Sequence, residues 1–161
     1  MKIEILPTTT PAIPLAILSM TNLDNRELNP AIEKQLTTQQ IPVAQPQSAL
    51  ADLLQVIHAH HPVQIAAWDM NALGADQVQL QVTAQGPHLL TATTPLRPNL
   101  DSKSSRILIV IGDVDASDAS VHATGQELQR KIKAFFGIQA RLQFPTCSAE
   151  PVYLETTRPA S

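Results

Sequence analysis

Residues 106–144 carry the clearest hydrophobic pattern in the chain and predict a strand, an acidic loop, a helix and a second strand. The first segment, RILIVI, is apolar at consecutive positions, which is typical of a central strand covered on both faces. Leu128, Ile132, Phe135 and Phe136 then recur at helical spacing. The last segment, IQARLQF, alternates like a half-buried strand. We therefore expect a C-terminal β-α-β unit, with a right-handed crossover if its strands are parallel.

The start of this helix has two possible positions in the sequence. Asp118 can cap an early start, whereas Thr124 and Glu127 have the spacing of a capping box, in which each side chain bonds the other's backbone N–H. We prefer the start at Thr124. Gly137 stands where the helix is expected to end, because glycine adopts the left-handed conformation of a C-cap at low cost.

The remainder of the chain alternates short strand and helix patterns between proline-rich connectors. Helices are predicted after Asn29-Pro30 and after Ser48, each of which places a capping residue before helically spaced apolar positions. Val78, Leu80 and Val82 alternate with glutamines and predict a strand with one open face. Further strand patterns occupy residues 1–6, 14–20, 63–70, 88–94 and 151–156. The fold class expected is α+β or α/β, with one mixed β-sheet of about six to eight strands and three helices.

The composition agrees with a single folded domain. A chain of 161 residues with 43% hydrophobic side chains can bury a substantial core, and we assign residues 1–161 to one domain with 155–161 as a frayed tail. Aromatic residues make up only 3% of the chain, so the core must consist mainly of Leu, Ile, Val and Ala.

Charge and cysteine content narrow the range of partners. The formal net charge is −3 and no cluster of Lys or Arg is present, so we expect no nucleic-acid partner. A single cysteine, Cys147, cannot form an internal disulfide and excludes cysteine-based zinc sites. No apolar run is long enough for a membrane span, and Ala12–Met20 lacks the flanking features of a signal peptide. We expect a cytoplasmic protein without a membrane partner.

Three carboxylates follow the predicted central strand and form the main candidate site. Asp113, Asp115 and Asp118 offer the oxygen ligands that a divalent cation such as Mg²⁺ prefers. An EF-hand is excluded, because Asp118 replaces the required glycine and Thr124 the required glutamate. The D-x-D-x-[ST] pattern after an apolar strand resembles the first motif of haloacid-dehalogenase-type phosphatases, in which the first Asp is the nucleophile and the second the general acid or base. Too little chain follows the motif for the rest of that fold.

The same aspartates have a structural interpretation, which we favour. Asp and Ser side chains form turns and complement the positive N-terminal end of a helix. Under the alternative, Asp113 and Asp115 would hold a metal ion and Asp118 or His122 would act as general acid or base.

The remaining candidates are a histidine cluster and the cysteine. His58 and His61 can share a helix face, a spacing that lets two imidazoles reach one metal, while His60 is expected to point elsewhere. Histidines in the last turn of a helix also bond its free carbonyl groups, and we favour that role. Cys147 is either a nucleophile beside a histidine or, as we expect, a small buried hydrophobe.

These observations favour a small non-catalytic protein that binds a ligand or associates with itself through an open sheet face, most simply as a homo-oligomer. No cofactor is predicted, and a small-molecule ligand fits the same hypothesis. The alternative is a metal-dependent enzyme with its site at the loop Asp113–Asp118, where open α/β sheets bind ligands. A structural component of a larger assembly is a third possibility. Motifs that would decide whether the protein is an enzyme are missing from the sequence.

Overall fold

The computed structural model shows an α+β protein, which was one of the two fold classes predicted from the sequence. The residues that the structure describes are 2–7, 13–21, 49–61, 63–70, 77–83, 86–91, 94–96, 106–114, 116–148 and 150–155.

Two helices occur among the described residues, α1 (Ala49–His60) and α2 (Asp118–Phe136). The helix predicted after Asn29-Pro30 lies outside the described residues, and so does most of the tail at 155–161, of which Glu155 ends the last strand.

The described part of the chain also contains eleven short strands. They are β1 (Lys2–Ile5), β2 (Ile13–Pro14), β3 (Ala16–Met20), β4 (Ile65–Asp69), β5 (Gln77–Thr83), β6 (Gly86–Thr91), β7 (Thr94–Leu96), β8 (Ile107–Ile111), β9 (Arg141–Gln143), β10 (Thr146–Cys147) and β11 (Val152–Glu155).

The strands of the described residues form three sheets, so the prediction of one mixed sheet was wrong. Their orders are β11-β1-β5-β6-β7, β4-β8-β3-β9 and the small pair β10-β2. The strands β1 and β3, close in sequence, belong to different sheets. The physical reason is burial: a four-stranded sheet with apolar residues on both faces needs two covering layers, and here a second sheet supplies one of them.

Strand β8 lies inside the four-stranded sheet, as its uninterrupted apolar sequence predicted. All five of its residues are buried, and both neighbours, β3 and β4, are antiparallel to it. Ile107, Ile109 and Ile111 pack in the cluster formed with α1 and α2. Leu108 and Val110 point the other way and pack in the cluster shared with the five-stranded sheet. The molecule therefore has three layers: helices, four-stranded sheet and five-stranded sheet.

The predicted β-α-β unit is present with one difference. Strands β8 and β9 are each antiparallel to β3, which lies between them, so β8 and β9 are parallel to each other without being neighbours. Helix α2 packs across β3, β8 and β9. The distant strand β3 thus occupies the position next to β8 that the sequence pattern assigned to β9.

The helix start predicted at Thr124 was also wrong. Helix α2 begins at Asp118, and Ser117 is its N-cap, with an Oγ that accepts a hydrogen bond from the Ser120 N–H at 3.1 Å. Thr124 is buried within the helix and donates its hydroxyl to the Ser120 carbonyl. At the other end, Gly137 has a left-handed backbone and its N–H bonds the Lys133 carbonyl, as predicted.

Candidate functional site

The acidic loop begins directly after the buried strand β8, and its first carboxylate is used to join two elements. The Asp113 carboxylate accepts a hydrogen bond from the backbone N–H of Gln64, before β4, at 3.1 Å. The Asp113 carbonyl also accepts the Ala116 N–H, which closes a turn. These bonds fit the structural interpretation of this aspartate.

The second described carboxylate of the loop lies near a histidine on the same helix. Asp118 is exposed in the first turn of α2, and one of its oxygens lies 3.7 Å from Nε2 of His122. The imidazole of His122 stacks on the Phe144 ring, with ring centroids 3.9 Å apart. The position of His122 is therefore set by Phe144 as well as by the carboxylate.

The third predicted ligand, Asp115, lies outside the described residues. Among the residues that are described, no group of three His, Cys, Asp or Glu side chains is arranged to hold a metal ion. The metal site at Asp113, Asp115 and Asp118 therefore stays a prediction.

The histidine cluster at the end of α1 differs from its predicted arrangement. The Nδ1 atom of His58 lies 3.1 Å from the carbonyl of Val63, a residue beyond the helix, whereas the predicted acceptor was a free carbonyl of the helix itself. His60 does not point away from the cluster: it and His61 both contact the carboxylate of Glu127 on α2. The pair that converges is thus His60 and His61, because the chain leaves the helical path at His61.

Glu127 is the charged partner of this pair, and sequence reasoning had assigned it to a capping box. Partial burial raises the pKa of its carboxyl. The hydrogen bonds with His61 and His60, together with the charges of these histidines, lower the pKa by more than burial raises it. The pKa of Glu127 therefore lies below its ordinary value. The partners lie 66 and 67 residues away along the chain, so no local pattern could have indicated them.

Cys147 and Trp68 are parts of the core. The Cys147 thiol is buried near the Leu6 carbonyl, with Sγ 3.3 Å from the oxygen, and burial raises the pKa of the thiol. A raised pKa disfavours the nucleophilic thiolate, which supports the prediction of a buried hydrophobe. Trp68 is almost fully buried in the cluster between the two large sheets.

The outer face of the five-stranded sheet is the surface turned away from the other layers. Val78, Leu80 and Val82 of β5 point inward and are buried, while the glutamines between them point outward, as their alternation predicted. In register across the outer face lie Tyr153, Glu4 and Gln79. The Tyr153 hydroxyl donates to Glu4 at 3.5 Å, and the Gln79 amide donates to the same carboxylate at 3.3 Å.

Tyr153 is the most exposed large hydrophobic side chain among the described residues, at 68% exposure. Beside it is a depression of about 330 Å³ lined by Lys2, Ile3, Gln77, Tyr153 and Leu154. The pattern at residues 151–156 predicted a strand here, but Tyr153 was not among the candidate residues. The signal was present, since Val152 and Leu154 alternate with it and leave the tyrosine on the opposite face.

The described residues form an α+β protein, with two helices on one face of a four-stranded sheet and a five-stranded sheet on its other face. In comparisons with known proteins, no family model matches the chain and no curated protein shows significant sequence similarity to it. Neither helix of the described part is long and apolar enough to cross a membrane.

Proposed function

We propose that this protein is a non-catalytic binding protein that associates with a second copy of itself through the outer face of its five-stranded sheet. The observation that carries the proposal is the exposure of Tyr153 beside an open depression at the edge strand β11. Tyrosine is enriched in interfaces because it buries a large area at a small cost in side-chain entropy.

The position of β11 adds a reason for self-association. Among the described strands, β11 has a hydrogen-bonded neighbour, β1, on one side only. An edge strand presents backbone N–H and C=O groups that can pair with another chain. A second copy of the same strand can supply that pairing under two-fold symmetry, in which the same patch meets itself.

The charges on the outer face favour a copy of this chain over a strongly charged partner. Lys2 and Glu4 are two residues apart on β1 and share the outer face, because Ile3 and Ile5 between and beside them are buried. A two-fold arrangement can bring Lys2 of one copy near Glu4 of the other. Since the face also carries polar side chains such as those of Gln79 and Gln81, we expect a reversible dimer.

The alternative to a second copy of the chain is a small molecule bound in the depression. Its volume of about 330 Å³ lies at the lower end of the range of ligand pockets. Its lining includes exposed side chains on an open sheet surface, whereas ligand sites bury most of the ligand. Self-association is the better supported of the two.

Replacement of Tyr153 by Arg tests the proposal. We expect the native protein to dimerise as its concentration rises, and Tyr153→Arg to weaken the dimer by tenfold or more, about 1.4 kcal/mol. The measurement is light scattering after gel filtration over a wide range of protein concentration.

The control is Val114→Arg, which adds the same charge at another exposed hydrophobic residue, on the acidic loop away from the outer face. This variant should dimerise like the native protein. A native protein that stays monomeric at the highest concentration, or an equal effect of both variants, contradicts the proposal.

A further inference from the structure

Two histidines at the end of α1 and one carboxylate on α2 connect the two helices, away from the outer face of the five-stranded sheet. The Nδ1 atom of His60 lies 3.2 Å from Oε1 of Glu127, and Nε2 of His61 lies 2.5 Å from Oε2. The side chains of His60, His61 and Glu127 are 37%, 25% and 19% exposed, so water screens the contact only in part. Both oxygens of one carboxylate therefore bind the end of α1 to the middle of α2.

Further charged and titratable residues lie on the two helices that this contact joins. On α1, His58 is bonded to the Val63 carbonyl. On α2, Arg130 and Lys131 lie one helical turn beyond Glu127, and the Lys131 ammonium lies 5.9 Å from the Phe135 ring.

We propose that His60, His61 and Glu127 form a pH-dependent latch that holds the C-terminal end of α1 against α2 and tightens when the imidazoles gain protons. A protonated imidazole is a cation with two N–H donors, and its hydrogen bond to a carboxylate is roughly twice as strong as a neutral one. The charge also interacts favourably with the negative C-terminal end of α1.

The lower end of the pH range of the latch follows from the carboxylate. Because the pKa of Glu127 is lowered, the carboxylate stays ionised in the folded protein at pH values where the unfolded chain is partly protonated. Its contribution is thus present above its ordinary pKa of 4.5 and is lost as the pH falls through the lowered pKa.

Glu127→Gln tests the latch because the amide has nearly the same shape and no charge. Thermal melts are measured from mildly acidic to mildly alkaline pH in the presence of a chelator. At the acidic end, the melting temperature of the native protein should exceed that of the variant by about 2–4 °C. Hydrogen exchange at acidic pH should show faster exchange in the last turn of α1 in the variant, for example at the His61 N–H that bonds the Ile57 carbonyl.

The matched control is Glu150→Gln, which removes a carboxylate from an exposed residue. It should leave the pH dependence of melting unchanged. A difference between the native protein and Glu127→Gln that is the same at every pH would mean a packing contact only and would overturn the latch. Replacement of His61 by Gln supplies a second variant, which should lose part of the same acidic stabilisation.

Discussion

Gly112 shows how one residue can decide the geometry between a buried strand and the loop after it. It follows β8 directly, has a φ of 153° and donates its N–H to the Gln64 carbonyl at 2.9 Å. A Cβ atom at this position would lie 2.6 Å from Cδ2 of Leu15 and 3.0 Å from the Pro14 carbonyl. Both the backbone conformation and the lack of space therefore require glycine.

Gly112→Ala should lower the free energy of unfolding by about 3 kcal/mol, because backbone strain and overpacking add. Gly137→Ala is the matched variant: its φ is also positive, but a Cβ there would meet no atom within 4 Å. This variant should lose only about 1–2 kcal/mol of the free energy of unfolding, from backbone strain alone. Denaturant unfolding measures both, and equal losses would contradict the role given to Leu15 and Pro14.

At the scale of elements, α2 is placed on the four-stranded sheet by a close approach at Gly125. A Cβ atom here would lie 3.0 Å from Cβ of Ala16, and 3.3 Å from ring or methyl carbons of Phe144 and Leu142. Ala16 belongs to β3, and its Cβ can move only if the strand backbone moves. A glycine that would ordinarily weaken a helix thus allows the helix to lie close to the sheet.

Gly125→Ala should therefore destabilise the protein by about 1 kcal/mol, although the same change in an exposed helix position gains up to about 1 kcal/mol. The companion variant is Ala123→Gly, on the exposed side of α2, which should lose about 1 kcal/mol through helix propensity alone. Chemical denaturation distinguishes the two effects. A Gly125→Ala protein that is more stable than the native one would show that the backbone of β3 can move at little cost in free energy.

At the scale of the whole molecule, the buried apolar residues that the structure describes form two clusters separated by the four-stranded sheet. One cluster lies between this sheet and the helices, and the other lies between the two large sheets. The single tryptophan, Trp68, is in the second cluster, so its fluorescence reports the contact between the sheets. The strands β3, β4 and β8 each contribute residues to both clusters, and we therefore expect the clusters to form and unfold together.

Unfolding by denaturant should accordingly show one transition by two probes. Trp68 emission should shift to longer wavelength at the same midpoint at which the far-ultraviolet circular dichroism is lost. The two probes report different layers, because the helices dominate the dichroism. A fluorescence change at lower denaturant would mean that the five-stranded sheet separates first, and it would contradict a single cooperative unit.

Part of the candidate site follows from local pattern and part does not. The alternation along β5 is a local property with a period of two, so the burial of Val78, Leu80 and Val82 could be predicted from the sequence. The bonds from Asp113 to Gln64 and from Glu127 to His60 and His61 join distant segments. Hydrophobic spacing carries no information on which polar partners meet, so these contacts could not be predicted.

The sequence by itself determined the buried strand β8, the amphipathic helix α2 and its end at Gly137, because local periodicity and glycine geometry depend on neighbouring residues alone. Only the tertiary structure decided that β3 lies between β8 and β9, that the strands divide into three sheets, and that α2 begins at Asp118. These outcomes depend on which apolar faces cover one another, and that choice is made between segments far apart in the chain.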